Sequence, residues 1–145
     1  MKKYFCEFSK LSTQMLYDII RLREKVFVVE QNSIYVDCDN KDLNAIFLIV
    51  EDNNQLIATL RILPNDPRYN TIAIGRFVID PQYRNQHLGQ TMLKDAIDYI
   101  YQNFGNNTIS ISAQQHLEPF YSKCGFIKKS TPYLEDGIMH ILMRK

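Results

Sequence analysis

One stretch constrains this chain more than any other, the segment from Gly75 to Gln90. Its first half is apolar and ends at Asp80-Pro81, a polar turn follows, and apolar residues at helical spacing begin at Leu88. The pattern predicts a buried strand, a loop and an amphipathic helix. The first backbone N–H groups of a helix have no partner inside it, so the loop is a candidate anion site. Arg84 adds positive charge at this position.

The composition predicts one compact domain over residues 1–145. The chain is 46% hydrophobic with a net charge of +1, which gives no electrostatic case for nucleic acid or an anionic membrane as partner. Its longest apolar run, Ala45 to Val50, is too short to span a bilayer, and Glu7 and Lys10 interrupt any signal-peptide core. The three cysteines form no CxxC pair and no zinc spacing. We therefore expect a cytoplasmic protein without a metal.

The remaining chain predicts an alternation of strands and helices. Ser12 can cap a first helix that fades where β-branched residues accumulate, at Val26 to Val29, and Arg23 is expected on its solvent side. Pro64 is expected to end a strand. Further helices are predicted at Leu88–Tyr101 and at Glu118–Lys123 with Gly125 after it. Strands are predicted at Tyr4–Phe8, Ala45–Glu51, Leu56–Leu63, Ile72–Ile79, Thr108–Ala113, Phe126–Lys128 and Ile138–Met143.

This order indicates the α/β class, with a mixed sheet of about six to seven strands flanked by helices. Two apolar strands are joined by Asp52-Asn53-Asn54-Gln55, whose residues tolerate the positive φ of a tight hairpin. A β-α-β crossover follows and places the Asp80–Leu88 loop at the carboxyl end of a central strand, where ligands of such sheets bind.

An acidic segment, Glu30 to Asp42, shows no clear periodicity. Asp37, Asp39 and Asp42 are predicted to form either a solvated loop or a surface that attracts a cationic amine. A calcium loop is excluded because the required glycine and terminal glutamate are absent at the needed spacing.

Several motifs together resemble the GNAT superfamily of N-acetyltransferases. Arg84 to Gly89 resembles the pyrophosphate loop of that family, and Phe120 to Phe126 resembles its Tyr-x-x-x-Gly-Phe element. The similarity extends to the ElaA-like branch of the family. The stretches that carry it are Val26–Gln31, Gly75-Arg76, Ala113–Leu117 with Phe120-Tyr121, and Glu135–Ile138 with His140.

The resemblance implies acetyl-CoA as the acyl donor, bound where two parallel strands splay apart. The strand before the loop would pair its backbone with the pantetheine arm, and Gln114 stands where many members have Asn. A backbone N–H near Val78 would polarise the thioester carbonyl. From the residues alone, these positions also fit an ordinary helix start and core packing. The implied cofactor contacts are Phe77, Val78, Ile79, Arg84, Asn85, Gln86, His87, Leu88, Gly89, Gln90 and Gln114.

Tyr121 is the candidate general acid, which by resemblance protonates the departing thiolate. Glu30 and His116 are the candidate general bases, Glu30 because partial burial would raise its pKa and His116 because imidazole titrates near neutrality. Each also has a structural interpretation as a packing, capping or ion-pairing residue. His140 is assigned a structural role, and His87 a place in the loop lining. A nucleophilic Cys124 is not expected.

The resulting hypothesis is an acetyl-CoA-dependent N-acetyltransferase in which a primary amine attacks the thioester directly. Two alternatives stay open, a catalytically silent CoA-binding or interaction module and an acyl-homoserine-lactone synthase-like acyltransferase. The acceptor is a small amine, an amino acid or a peptide. The sequence leaves the oligomeric state open, a homodimer included.

Overall fold

A mixed sheet of eight strands forms the framework of the molecule, which the computed structural model describes over all 145 residues. The predicted α/β class is confirmed, with one strand more than the upper prediction. The strands are β1 (Lys2–Glu7), β2 (Ile46–Asp52), β3 (Gln55–Asp66), β4 (Thr71–Ile79), β5 (Ile109–Gln114), β6 (Ile127–Lys128), β7 (Tyr133–Glu135) and β8 (Ile138–Arg144).

The strand order across the sheet is β1-β2-β3-β4-β5-β8-β6, and β7 pairs with β8 beside this path. All neighbours are antiparallel except β4 and β5, which are parallel. A parallel pair needs a long crossover connection, and here it is the helix that follows β4. The predicted β-α-β unit therefore lies at the centre of the sheet.

Three α-helices flank the sheet, namely α1 (Thr13–Arg23), α2 (Leu88–Phe104) and α3 (Glu118–Lys123). The Ser12 side chain accepts a hydrogen bond from the Met15 amide at 3.0 Å and caps α1 as predicted. None of the helices combines the length and the apolar composition that crossing a membrane requires.

The two faces of the sheet are packed differently. The face under α2 and α3 carries the main core, 22 buried residues that include most of the apolar side of α2. The opposite face packs α1 against β2, β3 and β4 through a smaller cluster around Ile19, Phe47 and Ile49. On this face β5 presents Ser110, Ser112 and Gln114, which alternate with Ile111 and Ala113 of the main core. Within this row Ser110 is buried, whereas Ser112 and Gln114 are partly exposed.

Three local predictions were wrong. The first helix does not fade at Val26, because it continues as a π-helix over Glu24–Glu30. Arg23 does not face solvent, since only 1% of it is exposed. Strand β3 does not end before Pro64 but runs through it to Asp66, where the pairing with β4 becomes irregular and an unpaired ring nitrogen is tolerated. The short strand β7 had no counterpart in the prediction.

The turn predictions agree with the structure. Asn53 and Asn54 have φ of 49° and 62°, so the β2–β3 hairpin has two central residues in the left-handed region, as a type I′ turn requires. Gly125 has φ of 93° and follows α3, whose bounds match the prediction.

Candidate active site

The central parallel pair of strands separates shortly after it begins. Strands β4 and β5 are paired only at Ile72 with Ile109 and at Ala73 with Ser110. Beyond Ala73, β4 therefore has no partner strand on its β5 side. A bulge increases the divergence, because β4 carries one extra residue between its pairings with Arg61 and Thr59 of β3.

Arg76 lies in this bulge with a positive φ of 46°. A side chain in the left-handed region costs about 1–2 kcal/mol, and it is retained where surrounding structure fixes the backbone. Here the Arg76 guanidinium lies 2.8 Å from the Asp37 carboxylate and donates to the Asp37 carbonyl oxygen at 2.9 Å. The ion pair holds the bulge and the acidic segment together.

One cavity of about 690 Å³ opens from the splay toward the start of α2. Every predicted cofactor contact except Gln86 lines this groove, as do Glu30, His116 and Tyr121. The sequence motifs that contain these residues are far apart in the chain, with more than 80 positions between Glu30 and Tyr121, and the fold brings them together. We call this cavity the donor groove.

The start of α2 has the features of an anion site. Helix α2 begins at Leu88 after His87, whose φ is 60° and whose side chain forms no capping hydrogen bond. Asn85 is also in the left-handed region, with φ of 63°. The first-turn amides of this 17-residue helix are therefore not capped by a side chain, and the helix dipole favours negative charge beside them. The His87 side chain is exposed, in agreement with its predicted place in the loop lining.

Gly89 permits a close approach at the same place. A Cβ atom on Gly89 would lie 3.4 Å from Ile79 Cδ1 and 3.4 Å from the Phe120 ring. These distances correspond to ordinary van der Waals contact, so the first turn of α2 packs closely on the end of β4 and on α3.

Arg84 is fixed at the mouth of the donor groove by Glu30. Its two terminal nitrogens donate to the two Glu30 oxygens at 3.1 and 2.7 Å, and its Nε donates to the Ile79 carbonyl at 3.2 Å. The burial expected for Glu30 is absent, because its side chain is 39% exposed. The contact that the structure gives Glu30 is its ion pair with Arg84.

Tyr121 lies on α3 between two phenylalanine rings. Phe120 and Phe126 contact it edge to face with ring centroids at 5.1 and 6.1 Å, and only 6% of Tyr121 is exposed. Burial raises the pKa of the Tyr121 phenol above its usual range, so the hydroxyl keeps its proton at neutral pH. Burial also raises the pKa of the neighbouring Cys124 thiol, which makes Cys124 a poor nucleophile.

Gln114 and His116 occupy the end of β5 and the turn after it. Gln114 Nε2 donates to Gln31 Oε1 at 3.2 Å, and this hydrogen bond closes one side of the groove. His116 belongs to a 3-10 turn, Gln115–Leu117, and is exposed on the groove wall. The structure assigns it no polar partner.

A second cavity of about 400 Å³ lies on the other side of the splay. It shares six residues with the donor groove: Phe27, Gln31, Phe77, Gln114, Leu117 and Tyr121. Tyr121 is the only one of these with an ionisable side chain. The buried Tyr121 therefore lines both cavities, and we call the second one the acceptor cavity.

The acceptor cavity contains a polar cluster that was not predicted from the sequence. Ser112 Oγ lies 2.6 Å from the Tyr133 hydroxyl and donates to Glu135 Oε2 at 3.0 Å, and Arg68 forms an ion pair with Glu135. His140 Nε2 lies 3.5 Å from Glu135 Oε2. The resemblance to the ElaA-like branch did single out Glu135 and His140, but nothing near Arg68 or Ser112 in sequence signals their role.

The three aspartates of the acidic segment are paired with arginines, so they neither form a solvated charge cluster nor stay free to attract a cation. Arg23 donates to Asp37 at 2.6 Å and to both oxygens of Asp42 at 2.9 and 3.1 Å. Arg61 donates to Asp39 at 2.6 and 2.8 Å and to Asp42 at 2.9 Å. Burial alone would raise the pKa of Asp39 and Asp42, but the hydrogen bonds from these arginines outweigh it and lower both. Both interpretations of the segment were wrong, because its carboxylates neutralise three arginines.

Comparison with known proteins identifies the family. A family model described as acetyltransferase (GNAT) domain matches residues 13–145. The chain belongs to the GNAT acetyltransferase family. It is 35% identical over 139 residues to the protein ElaA of Escherichia coli, with 94% of this chain and 91% of ElaA covered. It is 39% identical over 139 residues to the UPF0039 protein C11D3.02c of Schizosaccharomyces pombe, with the same coverage.

Solved structures agree with this assignment. The crystal structure of E. coli ElaA superposes on this GNAT chain with a TM-score of 0.93 at 32% identity, covering 100% of the chain and 99% of ElaA. An acyl-CoA N-acyltransferase from Pseudomonas aeruginosa gives the same TM-score, identity and coverage. The expected resemblance to the ElaA-like branch is confirmed.

Proposed function

We propose that this GNAT protein is an acetyl-CoA-dependent N-acetyltransferase that transfers an acetyl group directly to a primary amine. The observation that carries the proposal is one buried tyrosine that lines two neighbouring cavities. The donor groove is lined by the uncapped start of α2, by Arg84 and by Tyr121. The acceptor cavity is lined by the same tyrosine.

The donor groove fits a CoA thioester. The free amides at the start of α2 and the guanidinium of Arg84 supply donors and positive charge for a pyrophosphate. The unpaired edge of β4 beyond Ala73 offers backbone groups to an extended pantetheine arm, which would add to the sheet as a strand does. The residues for both contacts are those proposed from the sequence.

Tyr121 is suited to stabilise the leaving thiolate. The raised pKa keeps its phenol protonated, so it can donate a hydrogen bond as negative charge develops on sulfur. The burial that raises the phenol pKa would also raise the pKa of a CoA thiol placed beside it, as it does for Cys124. Proton transfer from Tyr121 to sulfur therefore stays chemically reasonable in spite of the raised phenol pKa.

The arrangement of the two cavities supports direct attack. An amine in the acceptor cavity and a thioester in the donor groove share a boundary, and no nucleophilic side chain with an activated thiol or hydroxyl lies between them. Holding both reactants in this geometry supplies a large part of the rate enhancement. The acceptor is a small amine, an amino acid or a peptide, and we place the reaction in the cytoplasm.

Thiol release from acetyl-CoA across a panel of amines tests the proposal. We expect CoA binding by calorimetry together with amine-dependent thiol release and a product heavier by one acetyl group in mass spectrometry. CoA binding without turnover on any amine would instead indicate a silent CoA-binding module. The 35% identity with ElaA over nearly the whole chain favours the GNAT acetyltransferase over the lactone-synthase alternative.

A further inference from the structure

The acceptor cavity is lined by one histidine, His140. His140 lies on β8, with 8% of the residue exposed, and it lines the acceptor cavity but not the donor groove. Its ring stacks on Tyr133 at 6.3 Å between centroids, and β7 holds Tyr133 opposite it in register. Position and orientation are therefore fixed by two neighbouring strands.

The hydrogen bonds of His140 define which ring nitrogen can accept a proton. Nδ1 lies 2.7 Å from the Ile138 carbonyl oxygen. A carbonyl oxygen can only accept, so Nδ1 carries the proton of the neutral ring. The lone pair is then on Nε2. In this geometry Nε2 is the single basic position of the side chain.

One carboxylate lies beside Nε2. Glu135 Oε2 is 3.5 Å away, close enough to interact with positive charge that develops on the ring when it takes a proton. Burial would raise the pKa of Glu135, but the hydrogen bond and charge of Arg68 outweigh it and lower that pKa, so Glu135 stays ionised. Across the same cavity, the other charged groups are already paired, Arg61 and Arg76 with Asp39 and Lys41 with Asp66, and Asp136 lies at the β7–β8 turn.

We propose that His140 is the general base that takes a proton from the acceptor ammonium at Nε2, directly or through one water, with Glu135 as its positioning residue. The inference rests on the proposed acetyl transfer. Glu30 and His116, the bases expected from the sequence, line the donor groove and not the acceptor cavity. His140 is the only histidine that lines the cavity from which the amine approaches.

The proton balance of the step is complete. Removal of one proton by His140 leaves a neutral amine, whose lone pair forms the C–N bond with the thioester carbon. The C–S bond breaks, and the thiolate takes a proton from the Tyr121 hydroxyl. The attacking nitrogen loses its second proton, which returns to the Tyr121 oxygen. His140 releases its proton to solvent, so an amide, a free thiol and one proton result.

His140→Asn is the sharpest test, because an Asn amide N–H can replace Nδ1–H as donor to the Ile138 carbonyl while the base at Nε2 is removed. We expect kcat/KM near neutral pH to fall about 100-fold, with the melting temperature and the acetyl-CoA Kd unchanged. We also expect the acid limb of the pH profile to be replaced by a continuous rise with pH. Added imidazole should restore turnover in His140→Ala.

Glu135→Gln tests the positioning role. Loss of the carboxylate removes the stabilisation of the imidazolium, so the midpoint of the acid limb should move to lower pH. Glu7→Gln, an exposed carboxylate near the N-terminus, is the matched control and should leave the profile in place. A purely structural role of Glu135 would change stability without moving this midpoint.

The outcomes separate this inference from the proposed function. Absence of thiol release from the wild-type protein with every amine contradicts the acetyltransferase itself. Wild-type turnover with an unchanged rate and pH profile in His140→Asn overturns the role of His140 alone. A rate that falls only as far as the folded fraction falls, without rescue by imidazole, overturns it as well.

Discussion

Among single residues, Arg84 and Tyr121 are the two that we propose to contact CoA, at its phosphate and at its sulfur. Arg84 is held by three hydrogen bonds to Glu30 and Ile79 at the mouth of the donor groove, and Tyr121 closes the groove at its buried end. A half-exposed guanidinium contributes less to binding than a buried one because solvent screens it. In the proposed complex, Arg84 would therefore contribute part of the CoA affinity, and the amides at the start of α2 would supply the remainder of the phosphate site.

Arg84→Ala should weaken acetyl-CoA binding about 5- to 10-fold, since one charge-assisted contact to a phosphate is lost. The loss should shrink as salt is raised, because ions screen the exposed charge. Calorimetric titration at two salt concentrations measures both effects. Arg21→Ala, on the exposed side of α1, removes an equal charge far from the groove and should leave Kd as it is. An unaltered Kd in Arg84→Ala would contradict the phosphate role.

At the level of elements, the hairpin and the short helix α3 were predictable because local sequence decides them. Asn53 and Asn54 adopt the positive φ that their types tolerate, and Gly125 follows α3 in the left-handed region. The course of β3 past Pro64 and the π-helix after Arg23 were not predictable. Both depend on partners elsewhere in the fold, β4 for Pro64 and the acidic segment for Arg23.

Asn54→Gly should stabilise the β2–β3 hairpin. The second central residue of a type I′ turn favours glycine, and Asn54 has φ of 62° in that position. We expect a gain of about 0.5–1 kcal/mol in the free energy of unfolding, seen as a rise of about 2–4 °C in melting temperature. Asn103→Gly inside α2 is the opposite control and should destabilise the fold by a similar amount. A fall in melting temperature for Asn54→Gly would refute the turn assignment.

For the whole molecule, a buried ion network connects the first helix, the acidic segment and the sheet. Arg23, Arg61 and Arg76 are paired with Asp37, Asp39 and Asp42 beneath the acceptor cavity. The paired residues are 14 to 39 positions apart in sequence, so no local sequence pattern predicts these contacts. The same limit applies to Arg68 and Glu135, which are 67 positions apart. Most residues that line the donor groove were predictable from sequence motifs, whereas the polar cluster of the acceptor cavity comes together only in the folded chain.

Arg23→Ala should be among the most damaging substitutions outside the site. It removes one of the two arginines that pair with each of two carboxylates, Asp37 and Asp42, and breaking such a buried network typically costs about 3–5 kcal/mol. Urea denaturation should show this loss, and the melting temperature should fall by about 10 °C. Arg21→Ala, two positions earlier on the exposed side of the helix, should change stability by less than about 0.5 kcal/mol. Equal effects of the two variants would show that the network contributes little.

The same network makes the fold sensitive to acid. The pKa values of Asp39, Asp42 and Glu135 are lower in the folded state than in the unfolded chain, so the folded state binds fewer protons. The resulting stability is fully present above the unfolded values of about 4 and is lost as pH falls through the folded ones. The urea concentration at which half of the protein is unfolded should be constant near neutral pH. It should decrease when the pH is lowered below about 4. Asp39→Asn should make this fall less steep, and an equal slope would contradict the prediction.

We propose that an acetyl group passes beside Tyr121 from a CoA thioester in the donor groove to an amine in the acceptor cavity. The substitution Tyr121→Phe tests this proposal most directly. The substitution removes one hydroxyl, which has no hydrogen-bond partner within the protein, and keeps the ring between Phe120 and Phe126. We predict a fall in kcat of about 100-fold or more with an acetyl-CoA Kd within about twofold of the wild type. Unchanged turnover in Tyr121→Phe would contradict the account.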